Sequence, residues 1–222
     1  MNFYNSYRNT IHIIIIIIIH FFFLLFPLNK GLLDGDEFTT RSIAQGIDIS
    51  QNNYPTKGNI NDNSNYTTNV LFLTNKDNGN SLLYNIILHY WIKLFGNSDS
   101  STRCLSIPFS LLTIIIIYCL SFILFKNNKL SLISAIIASI HPIILQYGTI
   151  TRAYSMALFF STLSSLILYK LYHNTNYKNL ILYNIVSIFA FFSHFFTAHI
   201  LIFQILFSII LFRDNKLFIK YI

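Results

Sequence analysis

Long apolar blocks alternate with short polar segments along the chain, and this pattern predicts membrane-spanning helices. The first span is predicted from Ile11 to Leu28, with Arg8 before it. A cleaved signal peptide is the rival interpretation of this block. We favour a retained span, because the apolar run is at least as long as the limit of about 15 residues for a signal core and no small-residue cleavage site follows it.

Further spans are predicted at residues 105–125, at 130–147 and from Arg152 to Leu171. His141-Pro142 predicts a kink in the second of these, because proline removes a helical hydrogen bond. The last apolar stretch, Leu180 to Phe212, is too long for one helix and short for two, given about 20 residues per span.

The distribution of charge resolves this last stretch. Basic residues both precede and follow it, and both groups are expected in the cytoplasm. They are Lys170, Lys178, Arg213, Lys216 and Lys220. A hairpin that turns near Ser193-His194 satisfies this requirement, which gives six spans and a cytoplasmic N-terminus. The first loop, Arg152 and His194 then share the outer side of the membrane.

Residues 29–104 form the predicted outer loop between the first two spans. Its first part, Asn29 to Asn80, is polar and lacks a strong periodic pattern, so no regular structure is predicted there. Residues 81–95 predict a helix that lies in the membrane interface, because the block is short for a span and carries one polar stripe. The stripe consists of Ser81, Asn85, His89 and Lys93.

Composition places residues 1–222 in one membrane domain. Hydrophobic residues make up 54% of the chain and charged residues 10%, against about 25% charged residues in soluble domains. The expected fold is an all-α, polytopic integral membrane bundle of about six spans, with spans two to six in residues 105–212. The net charge of +7 is spread over short loops, so a lipid bilayer is the expected partner and nucleic acid is not.

An acidic stretch, Asp34-Gly35-Asp36-Glu37, directly follows the first span and holds three of the eight acidic residues. At the bilayer surface, a carboxylate can deprotonate an acceptor hydroxyl or bind a divalent cation beside a phosphate. Arg152 can bind a phosphate with two hydrogen bonds, and Tyr154 adds a hydroxyl or a stacking face. Charged residues are also common at span ends, so by residue type alone ordinary loop charge remains an alternative.

Several short motifs follow one another in a characteristic order. They are Asp36-Glu37 after the first span, Asp77-Asn78-Gly79-Asn80-Ser81, His89-Tyr90-Trp91, Arg103-Cys104-Leu105-Ser106, His141-Pro142, Arg152-Ala153-Tyr154-Ser155 and Ser193-His194-Phe195-Phe196. Over roughly residues 10–212, this ordered set resembles the GT-C class of membrane glycosyltransferases. The specific resemblance is to the family-39-like group, of the dolichyl-phosphate-mannose mannosyltransferase and aminoarabinose transferase type.

This resemblance implies transfer of a sugar from a polyprenyl-phosphate donor to an acceptor on the outer face of the membrane. It implies that Asp36 is the general base, supported by Glu37. The implied substrate-binding residues are Asp77, Asn80, Arg152, Tyr154 and His194. A divalent cation is compatible with this site, with Asp36 and Asp77 as its candidate ligands. The acceptor is left open between a glycan, a lipid and a protein, and the expected location is the bacterial plasma (inner) membrane.

Two departures from the family pattern keep alternatives open. Ile150 stands where relatives often carry an acid, which leaves Asp77 as a substitute. Relatives are also longer and have more spans, so the chain is interpreted as the N-terminal part of a transferase. One alternative is therefore a truncated, non-catalytic membrane homologue or assembly partner. The other is a transporter of lipid-linked sugars, although the scarcity of charges inside the predicted spans counts against it.

Overall fold

The computed structural model describes residues 2–28, 34–47, 66–77, 79–174 and 176–211. Within these ranges all regular structure is helical, which confirms the predicted all-α class. The helices are α1 (Asn2–Leu28), α2 (Gly35–Ala44), α3 (Tyr66–Lys76), α4 (Leu82–Phe95), α5 (Asp99–Cys104), α6 (Ser106–Phe125), α7 (Asn128–Ile140), α8 (Pro142–Tyr147), α9 (Tyr154–His173), α10 (Tyr177–Ser193) and α11 (Thr197–Leu211).

Three helical segments in the described part of the chain are long and apolar enough to cross a membrane. They are Thr10–Leu28, Asp99–Phe125 and Tyr154–His173. The helices α7, α10 and α11 are also apolar but shorter, at 13, 17 and 15 residues. A straight helix needs about 20 residues to cross the hydrocarbon core, so the count of about six spans stays a prediction.

The apolar helices pack side by side in one bundle. Helix α6 lies at its centre, between α7 and α9, while α1 packs against α6 and α7, and α10 and α11 pack against α9. Large apolar side chains cover the outside, including Phe26, Phe203 and Ile210 at 82%, 71% and 72% exposure. Such a surface is stable in contact with lipid, because the bilayer core is itself apolar.

Two breaks divide the longer apolar stretches. At His141-Pro142 the predicted kink is a complete break, because Pro142 has no backbone N–H and His141 takes an extended conformation that ends α7. The second break separates α10, which ends at Ser193, from α11, which begins at Thr197. His194 therefore lies in a turn, as the charge pattern predicts.

The expectation of no regular structure between Asn29 and Asn80 is wrong for the described part, because α2 and α3 lie there. Helix α2 has a capping box that the sequence already contains. The Asp34 carboxylate accepts from the Glu37 backbone N–H at 2.9 Å, and the Glu37 carboxylate accepts from the Asp34 N–H at 3.4 Å. This reciprocal pair satisfies two amide donors at the helix start.

The polar stripe of α4 is partly buried against the two preceding helices. Asn85 donates to the Thr74 hydroxyl on α3 at 3.1 Å, and His89 Nδ1 donates to the Ala44 carbonyl of α2 at 2.8 Å. On another side of α4, Trp91 Nε1 donates to the Ser101 carbonyl of α5 at 2.9 Å. Helices α2, α3, α4 and α5 therefore form one layer against the membrane helices, which we call the first-loop layer.

Polar side chains join the membrane helices from within. His20 of α1 is fully buried, and its ring nitrogens lie 2.7 Å from the Ser139 carbonyl of α7 and 2.9 Å from the Ser110 hydroxyl of α6. Gln204 of α11 similarly donates to the Ser165 hydroxyl of α9 at 2.8 Å. Water does not compete for these hydrogen bonds in a bilayer, so they help to fix which helices pack together.

We predict that His20→Leu destabilises the bundle, whereas His12→Leu does not. Both histidines lie on α1, but His12 is exposed, so its replacement removes no contact between helices. The loss at His20 should be about 1–2 kcal/mol. The check is the free energy of unfolding in mixed micelles, and equal stabilities of the two variants would contradict the interpretation.

Candidate functional site

Neighbouring acids on α2 have opposite environments. Asp36 and Glu37 lie in the first turn, and consecutive helical side chains point about 100° apart. The Asp36 side chain is 74% exposed, whereas Glu37 is 2% exposed. Of the two, only Asp36 presents a carboxylate that a substrate can reach.

Glu37 is held in a buried network of donors. Arg103 donates from Nε to Oε1 at 3.0 Å and from Nη2 to Oε2 at 2.8 Å, and the Thr151 backbone N–H donates to Oε1 at 2.7 Å. Burial opposes ionisation of Glu37, but these hydrogen bonds outweigh it and lower the pKa of its carboxyl group. Glu37 therefore anchors α2 to α5 and to the segment that precedes α9.

Arg152, in that segment, forms an ion pair with Asp36. Its Nη2 lies 3.5 Å from Asp36 Oδ2, and the same nitrogen donates to the Tyr154 hydroxyl at 3.3 Å. Its Nη1 donates to the Thr40 hydroxyl at 3.1 Å and to the Asp36 carbonyl at 3.3 Å. The guanidinium carbon is 5.5 Å from the centre of the Tyr154 ring. These contacts orient a guanidinium group beside an exposed carboxylate.

The turn before α4 brings two more predicted residues to this place. Gly79 and Ser81 have positive φ angles of 71° and 61°, which reverse the chain sharply. Asp77 interacts electrostatically with Arg152 and Asp36; partial burial raises the pKa of its carboxyl group, Arg152 opposes this rise and Asp36 adds to it. Asn80 Oδ1 accepts from the Phe195 N–H at 3.3 Å, which joins this turn to the one between α10 and α11.

Aromatic rings continue from Arg152 toward the membrane helices. The Tyr154 ring centre is 4.7 Å from that of Tyr147 and 5.1 Å from that of His194, and His194 is 5.2 Å from Phe196. His194 is 5% exposed. Burial, together with the positive charge of Arg152, lowers the pKa of the His194 imidazole, so the ring is neutral near pH 7.

A cavity of about 620 Å³ begins at these rings. It lies between α7, α8, α9 and α11, and Tyr147, Tyr154 and His194 are among the residues that line it. Most of the wall is apolar and includes Ile137, Ala138, Ile144, Leu158 and Ile200, and the other polar lining residues are Ser134, His141, Ser161 and Thr197. The space is thus mostly apolar, and Tyr154 connects it to the guanidinium of Arg152.

The structure brings together all the residues that the sequence predicted for the site, but a substrate cannot reach all of them. Glu37 lies in the protein interior. Arg103, which the sequence analysis names only within a motif, is the counter-charge of Glu37. A single cation at the start of an apolar block is the sequence signal for such a buried ion pair. Thr40 carries no sequence signal, because its role depends on how α2 is rotated.

A divalent cation stays a prediction. Asp36 and Asp77 each have a carboxylate in this region, and the guanidinium of Arg152 lies against Asp36. Among the residues that the structure describes, no group of three or more His, Cys, Asp or Glu side chains has the arrangement of a metal site. Ile150, at the position where an acid is often found, contributes its carbonyl as acceptor for the Ser106 hydroxyl at 2.6 Å.

Comparison with known protein families identifies the family of this chain. Residues 80–222 match the sequence model of the dolichyl-phosphate-mannose-protein mannosyltransferase family, which is well over half of the chain. The chain belongs to this family. It is therefore a membrane-embedded member of a glycosyltransferase family of the GT-C type. No curated protein and no solved structure matches the chain.

The region matched to the family contains part of the site. Arg152, Tyr154 and His194 lie inside it, as does the wall of the cavity. Asp36, Glu37 and Asp77 precede it. The contacts of Glu37 with Arg103 and Thr151 cross this boundary and connect the first loop to the matched region.

We predict that Glu37→Gln lowers the free energy of unfolding by about 3–5 kcal/mol, because Arg103 loses the carboxylate that faces two of its nitrogens. The partly exposed pair of Arg41 and Asp99 provides the matched control. Asp99→Asn should cost no more than about 1 kcal/mol, since ion pairs that remain accessible to water contribute little. Equal losses in the two variants, measured in mixed micelles, would be inconsistent with a buried anchor.

The wild-type protein and Glu37→Gln also give a test of pH dependence. The ordinary pKa of a glutamate is 4.5, and that of Glu37 is lower in the fold. The stability that ionised Glu37 contributes is therefore fully present above pH 4.5 and is lost as the pH falls through the lower, folded pKa. The difference in stability between wild type and Glu37→Gln should shrink on acidification, and a constant difference would contradict this assignment.

Proposed function

We propose that the protein transfers a sugar from a polyprenyl-phosphate donor to a hydroxyl group of an acceptor at the outer membrane surface. The observation that supports this most directly is the position of Arg152. Its guanidinium lies beside the exposed carboxylate of Asp36 and donates to the hydroxyl of Tyr154, which lines a mostly apolar cavity. A lipid phosphate needs both an apolar space for its tail and a cation for its head group.

The cavity and Arg152 together suit such a donor. At about 620 Å³, the cavity lies within the range of about 300–1,000 Å³ found for small-molecule sites. Its aliphatic wall suits the first isoprene units of the tail, while the remaining units lie among the membrane lipids. Arg152 then binds the phosphate with two parallel hydrogen bonds, the geometry that a guanidinium group favours.

Asp36 acts on the acceptor in this proposal. Its carboxylate takes the proton from the acceptor hydroxyl as the hydroxyl oxygen forms a bond to the anomeric carbon of the sugar. The bond between that carbon and the phosphate oxygen breaks, and its electron pair leaves with the polyprenyl phosphate. Arg152 stabilises the negative charge that grows on the phosphate. No step of this scheme passes through a divalent cation.

The other residues position these groups. Glu37 keeps Asp36 beside Arg152 through its buried contacts. Asp77 and Asn80 border the space where donor and acceptor meet, so they contact the sugar or the acceptor. The basic residues of alternate loops support an outer-face position for this site and a cytoplasmic N-terminus. We propose the plasma membrane of a bacterial cell as the location. A glycan, a lipid and a protein all remain candidates for the acceptor.

A non-catalytic family member is the second candidate function. Ile150 favours it, because the chain lacks an acid where relatives often have one. The two candidates differ in a measurable way. A transferase moves label from a lipid donor to an acceptor and depends on Asp36, whereas a non-catalytic partner leaves the label on the lipid.

We predict that Asp36→Asn lowers sugar transfer by about 10²–10⁴-fold, the usual contribution of a general base. The assay uses membranes that contain the full protein, radiolabelled polyprenyl-phosphate sugars and extraction of the unreacted donor. Asp34→Asn is the control, because asparagine keeps the helix cap two residues away. Transfer by Asp36→Asn at the wild-type rate would exclude Asp36 as the base.

Arg152→Lys keeps the positive charge but removes the bidentate hydrogen-bonding geometry of the guanidinium group. We expect its affinity for polyprenyl monophosphate to fall about 10–100-fold, since a hydrogen bond to a charged group contributes about 1.5–3 kcal/mol. Arg41→Lys is the matched control, because Arg41 pairs with Asp99 outside the site. Equal affinities of the two variants, measured by retention of radiolabelled lipid, would argue against Arg152 as the phosphate ligand.

A further inference from the structure

His194 lies in the turn between α10 and α11, and one of its two ring nitrogens is already engaged. Nδ1 is 3.2 Å from the backbone nitrogen of Phe196, which donates to it. A backbone N–H can only donate, so Nδ1 must be the nitrogen without a proton. The proton of the neutral ring is therefore on Nε2, and the turn itself selects this tautomer.

The second nitrogen has no hydrogen-bond acceptor among the residues that the structure describes. Some buried polar atoms are also without partners, such as Asn85 Oδ1 and Ser155 Oγ, but those atoms are sealed from solvent. Nε2 of His194 is not among these atoms. Because His194 is 5% exposed and lines the cavity, we infer that its Nε2–H group is a donor on the cavity wall.

Packing holds this donor in one orientation. The rings of Tyr154 and Phe196 lie against the imidazole, with interplanar angles of 37° and 25°. The Phe195 N–H donates to Asn80, which fixes the turn on its other side. A group held in this way needs no reorganisation when a ligand binds, and such preorganisation is what makes a hydrogen bond effective in catalysis.

The ligand that this donor suits has negative charge and a long apolar tail. The wall of the cavity is mostly apolar, His194 and Tyr154 both line it, and Arg152 is close enough to act electrostatically on His194. A second full cation beside Arg152 would be disfavoured. A neutral N–H donor adds a further hydrogen bond to an anion without that repulsion.

We propose that the Nε2–H of His194 donates a hydrogen bond to a phosphate oxygen of the lipid phosphate, on the cavity side of the head group and across from Arg152. This inference rests on the proposed function, since it assigns a further contact to the same donor. No proton is transferred. As the sugar leaves, the charge on the phosphate grows from one to two, so the hydrogen bond strengthens and favours bond breakage.

The test compares two variants at one position. His194→Phe keeps an aromatic ring between Tyr154 and Phe196 but removes the donor, whereas His194→Gln places an amide N–H close to the position of Nε2. The ligands are radiolabelled polyprenyl monophosphate and the polyprenyl alcohol with the same tail. Binding is measured to the full protein in nanodiscs, and the thermal midpoint of each variant shows that it is folded.

The expected result is a loss of about tenfold or more in affinity of His194→Phe for the monophosphate, with unchanged affinity for the alcohol. His194→Gln should recover most of the loss. A parallel loss for both ligands would show that the ring only supports the cavity, and that outcome overturns the inference. Wild-type affinity of His194→Phe for the monophosphate would overturn it as well.

The outcomes also separate this inference from the proposed function. If wild-type protein does not bind the monophosphate, both fail together. If it binds the monophosphate and transfers sugar while His194→Phe is unchanged, only the role of His194 fails. Displacement of the label by inorganic phosphate as readily as by unlabelled lipid phosphate would also overturn the inference, because recognition would then not involve the tail.

Discussion

The buried ion pair between Glu37 and Arg103 determines the geometry of the site. Removing two charges from water is costly, and here the cost is offset because the carboxylate accepts from two nitrogens of the guanidinium group and from the Thr151 N–H. Thr151 precedes Arg152, and Glu37 follows Asp36. The Glu37 carboxylate therefore holds Asp36 and Arg152 in place through the residues next to them. These two residues lie 116 positions apart in the chain, and their side chains are 3.5 Å apart.

This arrangement divides two tasks between adjacent acids. An exposed carboxylate can exchange protons with a substrate but cannot hold a helix rigidly, because its own position is fixed by few contacts. A buried carboxylate that accepts from three donors holds a helix rigidly but cannot exchange protons with a substrate. The α-helix makes the division easy, since consecutive side chains face different surroundings. On the membrane side, the rings from Tyr147 to Phe196 similarly connect a polar site with an apolar cavity.

Much of the fold follows from the sequence, because apolar blocks and proline positions act locally. The helical class and the break at His141-Pro142 depend only on such signals, and the turn at His194 also needs the distribution of basic residues. The helix α2 was not expected, although its capping pair of Asp34 and Glu37 is present in the sequence as an apparent cluster of charge. Its acids could not be told apart, because their difference in burial depends on how α2 is rotated against α5. Motif order grouped Asp36, Arg152 and His194, but it contains nothing about the free nitrogen of the imidazole.

Trp91 is the single tryptophan of the chain, and its indole N–H donates to the Ser101 carbonyl. Its ring belongs to the first-loop layer and not to the wall of the cavity. Trp91 also packs against the core cluster that includes Met156 of α9. Intrinsic tryptophan fluorescence of the unmodified chain therefore reports on how the first-loop layer packs, both within itself and against the membrane helices.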